Sequence, residues 1–307
     1  MRTISSACAA TVVIAVAAGC GGDDSSSGGG TIAVDGSSTV GPYVTAAAEG
    51  YRDAGGGDVT VGISGTGGGF ERFCRGETDL SNASRPIKDE ESAICEQNNV
   101  EFVELQVAND ALTIVVNQTN DWATCLTVDE LNAIWKPGSK VSNWNQIRDD
   151  FPDEPLKLFG PGTDSGTFDY FTDEINGEEG ASRTDYSASE DDNVVVQGVS
   201  GSPGGLAYFG FSYFEENQDT LKALEIDGGS GCVAPSVQTA QAGDYEPLAR
   251  PLFVYVKRAA LERSEVEDFV RYMLENEKSI AEQAQYVPLN DEQLAGAKQK
   301  LEEATSS

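Results

Sequence analysis

Three times along this chain a run rich in apolar and β-branched residues breaks into a cluster of Gly, Ser and Thr, and an apolar-periodic stretch follows. Thr31–Asp35 leads into Gly36–Val40, Asp58–Ser64 into Ser64–Gly69, and Leu156–Phe159 into Thr163–Thr167. Strand periodicity alternating with helix periodicity confines the chain to an α/β fold, with helices covering mostly parallel sheets. The junctions carry small hydroxyls and backbone N–H groups that the first turn of a helix leaves unpaired. The positive end of the helix dipole adds to them, so such junctions suit anions. One cluster alone is ordinary N-cap and turn chemistry. Three, each after a strand, point to an oxyanion held by several loops. None contains the Gly-Lys-Ser/Thr of a P-loop, and none forms a dinucleotide fingerprint.

Further patterns complete the alternation. Helical spacing runs over Val40–Tyr51, Phe70–Arg75, Val128–Trp135, from Phe168, and over Val194–Val199, Ser264–Asn276, Ser279–Gln285 and Asp291–Glu303. Strands are expected at Glu101–Gln106, Ala111–Asn117, Leu206–Gly210 and Pro251–Lys257. With 307 residues there is enough chain for two lobes around a cleft. The lobes are expected at 31–106 plus 249–307 and at 107–248, with hinges near Val107–Asp110 and Glu246–Pro251.

Composition narrows the function. The chain has 51 acidic against 20 basic residues, a net charge of −31, which argues against nucleic acid and anionic lipid headgroups as partners. It has no histidine, so Ser-His-Asp triads, Cys-His dyads and His-ligated zinc are excluded. A hydrolase using Ser165 or Ser84 would need a lysine or carboxylate base, and no Ser-x-x-Lys follows the leader.

The first residues form a leader. Arg2 is the only charge before Asp23, and the apolar run Ala9–Ala18 is shorter than the about 20 residues a membrane span needs. The ending Ala17-Ala18-Gly19-Cys20 resembles the lipobox of bacterial lipoproteins, which implies a signal peptide over 1–19 and lipidation of Cys20. Gly21–Gly30 contains only Gly, Asp and Ser, a flexible tether. With Cys8 removed and Cys20 lipidated, Cys74, Cys95, Cys125 and Cys232 remain. Four cysteines in an exported chain suggest two disulfides with three pairings, of which Cys74–Cys95 with Cys125–Cys232 is favoured.

One more segment stands out. Asn82-Ala83-Ser84-Arg85-Pro86-Ile87 places a basic residue beside hydroxyls, and the proline favours an extended backbone at Arg85. A guanidinium fork grips two oxygens of an oxyanion at once.

Together, Asp35–Val40, Ser64–Phe70, Asn82–Ile87, Gly162–Phe168 and Gly198–Gly210 resemble the periplasmic phosphate-binding proteins of Pst-type ABC importers, over nearly all of Thr31 to Leu301. The resemblance implies a type II periplasmic-binding fold, two mixed sheets flanked by helices with a hinge. It implies a receptor, not an enzyme and without cofactor, that delivers inorganic phosphate to a permease and ATPase. The receptor would be a monomer held at the outer face of the cytoplasmic membrane by lipidated Cys20. Sulfate and molybdate are the alternative ligands. Carried over by position, the phosphate ligands are Thr39 and Val40, then Ser64 or Thr66, then Ser165, Gly166 and Thr167. Ser84 stands where the family has Asp, and Pro161 where it has Arg, so Arg85 is expected as the substitute cation. Phosphate keeps an O–H that sulfate lacks, so a carboxylate acceptor would discriminate the two. Asp110 is expected first in that role, ahead of Asp164 and Asp35.

Overall fold

The computed structural model describes residues 30–306, so the expected leader, Cys20 and the expected tether up to residue 29 lie outside it. The first lobe opens with β1 (Ile32–Gly36), α1 (Gly41–Asp53), β2 (Val59–Val61), α2 (Gly65–Cys74), β3 (Leu80–Ala83) and α3 (Asp89–Gln97). Strand β4 (Phe102–Asn117) crosses into the second lobe, which holds β5 (Cys125–Thr127), α4 (Val128–Trp135), β6 (Lys157–Pro161) and α5 (Gly166–Asn176). It continues with β7 (Ser187–Ser189), α6 (Asp192–Ser200), β8 (Gly205–Gly210), α7 (Phe211–Glu216), β9 (Leu221–Ala223), β10 (Glu225–Asp227), β11 (Cys232–Val233) and α8 (Val237–Ala242). Strand β12 (Ala249–Lys257) returns to the first lobe, followed by α9 (Ser264–Glu275), α10 (Glu277–Gln283) and α11 (Asp291–Thr305). None of the described helices is long and apolar enough to cross a membrane.

The strands β2-β1-β3-β12-β4-β8-β6-β7 form one sheet, with β9 also on β4, for nine strands among the described residues; β11-β10-β5 form a smaller one. The two expected mixed sheets are the two halves of the larger one, β2-β1-β3-β12-β4 and β4-β8-β6-β7. The two halves are continuous because β4 is 16 residues long and serves both. Its residues Phe102–Ala111 pair with β12, and Leu112–Val116 pair with β8. Burial along β4 records the change: it alternates up to Gln106, and every residue from Val107 to Asn117 is buried.

The expected crossing at Val107–Asp110 falls within this continuous strand. Those residues continue the strand, and Asp110 pairs in register with Arg250. The crossing between lobes is an antiparallel ribbon, interrupted by a bulge at Leu252/Phe253.

Buried side chains collect accordingly. One cluster joins Tyr43, Leu80 and Leu105 to Val254, Phe269 and Leu301; another joins Ile114, Trp135, Trp144, Phe171, Tyr208 and Tyr245. Both favoured disulfides are present, Cys74–Cys95 and Cys125–Cys232. The first ties α2 to α3; the second closes a loop of 107 residues between β5 and β11.

Candidate functional site

Three of the singled-out segments lie at the carboxyl ends of the adjacent parallel strands β2, β1 and β3. Open α/β sheets bind ligands at such ends. Backbone bonds join the segments: Ser64 N–H donates to the Gly36 carbonyl and Ser37 N–H to the Asn82 carbonyl, each at 3.1 Å. Two glycines permit the approach. A Cβ on Gly36, whose φ is +146°, would lie 2.2 Å from the Asn82 carbonyl oxygen, and one on Gly69 would lie 2.5 Å from the Gly36 Cα. Helix α2 begins at Gly65, earlier than the expected Phe70.

A cavity of about 390 Å³ opens there. Thr39, Ser64, Thr66, Ser84 and Arg85 line it, together with Arg250 and, from α5, Asp169, Tyr170, Asp173 and Glu174. The Thr66 and Ser84 hydroxyls are 3.1 Å apart, and Ser84 N–H donates to Thr66 Oγ1 at 3.3 Å. Thr66 is thus bonded to Ser84, while Ser64 occupies the N-cap of α2 without a side-chain bond to it.

Arg250 is the residue the sequence reading missed. Its Nη2 donates to Thr39 Oγ1 at 2.9 Å, and its Nε and Nη2 both reach Asp110 Oδ2 at 3.3 Å. Its guanidinium carbon sits 3.4 Å from the Tyr170 ring centroid, a cation–π contact to the second lobe. Nη1 has no partner among the described residues. A signal was available: Arg250 precedes Pro251, the same Arg-Pro pattern that drew attention to Arg85.

Arg85 lines the cavity, but its guanidinium is engaged. Nη1 and Nη2 each meet one oxygen of Glu91 at 2.8 Å, and the group lies 5.6 Å from the Phe70 centroid. The Glu91 bond raises the Arg85 pKa. Burial pushes the Glu91 carboxyl up, but Arg85 and the Lys88 N–H outweigh it and hold the carboxyl below its ordinary range.

The third turn arrives from the second lobe on the other side of Thr39. Gly166 and Thr167 line a second cavity of about 320 Å³ with Ser38, Thr39, Asp110, Asp192 and Tyr286. A Cβ on Gly166 would stand 3.3 Å from Thr39 Oγ1, so the turns of the two lobes abut. Ser165 caps α5 by accepting the Thr167 N–H at 3.2 Å, and the Gly166 N–H has no partner among the described residues. Val40 is buried at the start of α1, and the N–H groups of Ser38, Thr39 and Val40 reach no backbone acceptor among the described residues.

Of the expected carboxylates, Asp110 is buried beside Thr39. Burial pushes its carboxyl up, with Arg250 pulling the other way. Asp35 is committed to Arg72 and to the Gly36 N–H. Asp164 lies exposed on the turn before the Ser165 cap and lines neither cavity. The first cavity instead gains an acidic wall. Burial, then Glu179, raises the Asp169 carboxyl; burial, then Asp173, raises that of Glu174; Arg250 opposes both shifts.

Residues 21–277 match the model of the PBP superfamily domain. Protein SphX of Synechocystis sp. is 47% identical over 266 residues, 85% of this chain and 79% of that protein. The phosphate-binding protein PstS of Staphylococcus saprophyticus is 37% identical over 273 residues, 88% of this chain and 83% of that protein. The crystal structure of a possible phosphate binding protein from Planctomyces limnophilus superposes with a TM-score of 0.86 at 47% identity, over 90% of this chain and 99% of that one. The chain belongs to the PBP superfamily, in the family of the PstS-type phosphate-binding proteins.

Proposed function

We propose that this protein binds inorganic phosphate between its lobes and presents it to the permease and ATPase of an ABC importer. The observation that carries this reading is the convergence on Thr39: Arg250 bonds its hydroxyl, Gly166 of the other lobe abuts it, and the Thr66–Ser84 pair shares its cavity. Hydroxyls, unpaired N–H groups and one underpaired guanidinium are the donors a tetrahedral oxyanion takes. Thr39, Val40, Thr66, Ser84, Gly166, Thr167 and Arg250 are the proposed ligands, with Arg85 and Ser64 in the wall and Ser165 shaping the third turn. Relatives named for phosphate binding support the choice of anion. An anion bridging the lobes stabilises the closed form. In this reading the lobes are 31–106 plus 249–307 and 107–248, flexing at the β4–β12 ribbon.

The acidic wall bears on selectivity. A carboxylate accepts the phosphate O–H and repels a fully ionised sulfate. Asp110, Asp169 and Glu174 are the proposed acceptors, in place of the Asp that Ser84 replaces. The remaining proposals come from the first 30 residues: export by the leader, lipidation at Cys20, and a tethered monomer at the outer face of the cytoplasmic membrane. The protein is proposed as a receptor without turnover, in keeping with its lack of histidine.

Titration calorimetry with phosphate, sulfate and molybdate tests the reading. Saturable binding of one phosphate per chain, with the other anions weaker, is expected. No phosphate binding at micromolar concentration would overturn it, and preference for sulfate or molybdate would reassign the ligand.

A further inference from the structure

The segment Gln285–Val287, between α10 and α11, touches three separate parts of the molecule. The Gln285 carbonyl accepts from the Ser212 hydroxyl of α7 at 3.0 Å, a bond to the second lobe. The Tyr286 hydroxyl donates to the Thr39 carbonyl in the first anion turn. Val287 and Asn109 exchange two backbone bonds of 2.9 Å, which adds a pairing to the crossing strand β4. Gln285 holds a φ of +63°, a region that non-glycine residues seldom occupy and that persists where surroundings over-determine it.

The bond to Thr39 has a directional consequence. A trans peptide is planar, so its C=O and the next N–H point opposite ways. Anchoring the Thr39 carbonyl on Tyr286 therefore turns the Val40 N–H away from Tyr286. Val40 N–H is one of the proposed anion donors, and no other backbone bond at Ser38–Val40 N–H groups sets that orientation among the described residues.

We infer that Tyr286 is a positioning residue for the bound anion, acting through the Thr39 carbonyl, and that residues 285–287 link the first anion turn to the second lobe and the crossing ribbon. The inference rests on the phosphate-receptor reading above. It assigns to a tyrosine outside the ligand set the task of pre-aiming a donor, so its removal loosens the bound state more than it slows encounter.

The test uses the purified full chain, wild type beside Tyr286→Phe, Ser212→Ala and the double variant. Phosphate affinity, dissociation rate and the unfolding temperature without phosphate are measured for each. Tyr286→Phe is expected to weaken phosphate roughly tenfold, mostly through faster dissociation. Ser212→Ala is expected to weaken it by about threefold, and the double variant by less than the product of the two, because both act through one segment. Unchanged affinity in Tyr286→Phe, even with a lowered unfolding temperature, would reduce the tyrosine to a structural role and overturn the inference. If Tyr286→Phe fails to fold, unchanged affinity in Ser212→Ala overturns the linkage. If the wild type itself takes up no phosphate, the receptor reading fails first and this inference falls with it.

Discussion

Arg85 and Arg250 each precede a proline and line the same cavity, yet they are held in opposite ways. Arg85 meets Glu91 fork to fork, two nitrogens on two oxygens at 2.8 Å, so its charge is answered within its own lobe. Arg250 meets Asp110 through one oxygen at 3.3 Å and the Thr39 hydroxyl at 2.9 Å, and rests on Tyr170 of the other lobe. The proposed reading rests on this difference: what each cation already holds decides its part. In the reading proposed above Arg85 forms part of the wall, and Arg250, with Nη1 unpartnered among the described residues, is the cation that takes the anion and touches both lobes.

The largest effect is expected at Arg250. Arg250→Ala should weaken phosphate by on the order of a hundredfold or more, because a charge-assisted contact is lost and Asp110 is left buried without its cation. Arg250→Ala combined with Asp110→Asn should recover unfolding temperature but not affinity, which separates the two causes by calorimetry and thermal unfolding. Arg85→Ala should cost less, about threefold to tenfold, since Glu91 already neutralises that guanidinium. A larger loss at Arg85 than at Arg250 would invert the comparison.

Gly166→Ala probes the seam that Arg250 spans. Its methyl would press on Thr39 at 3.3 Å and should weaken binding about threefold by hindering the approach of the lobes. Unaltered affinity would mean that the turns need not meet.

The smallest effect is on stability. Burial, then Asp191 and Glu190, raise the Asp192 carboxyl from 3.8 to about 6. Between those values the folded protein keeps a proton that the unfolded chain releases, so stability falls as pH rises across the window. Asp192→Asn should flatten that part of a plot of unfolding temperature against pH; an unchanged slope would remove Asp192 as its source.

The anion turns were legible because their chemistry is local: Gly36–Thr39 and Thr163–Thr167 carry their hydroxyls and helix starts within a few residues. Arg250 was not, because its meaning depends on pairing with Asp110, 140 positions away, across β4 and β12. Val107–Asp110 is legible as a crossing, but the polar Asn109 and Asp110 hide that one strand runs straight through it. In the fold both are buried with partners, Asn109 on Gln106 and Gln293, Asp110 on Arg250. Gly65–Gly69 reads as a turn, yet it is the first part of α2, and Gly69 passes so close to Gly36 that a Cβ there would lie 2.5 Å from the Gly36 Cα.

A crystal structure of the protein with phosphate tests the central claim most directly. The account predicts a tetrahedral anion between the lobes, within hydrogen-bond distance of Thr39, the Arg250 guanidinium and the Gly166 turn. An anion seated on Arg85 with Glu91 displaced, or bound outside the cleft, would contradict it.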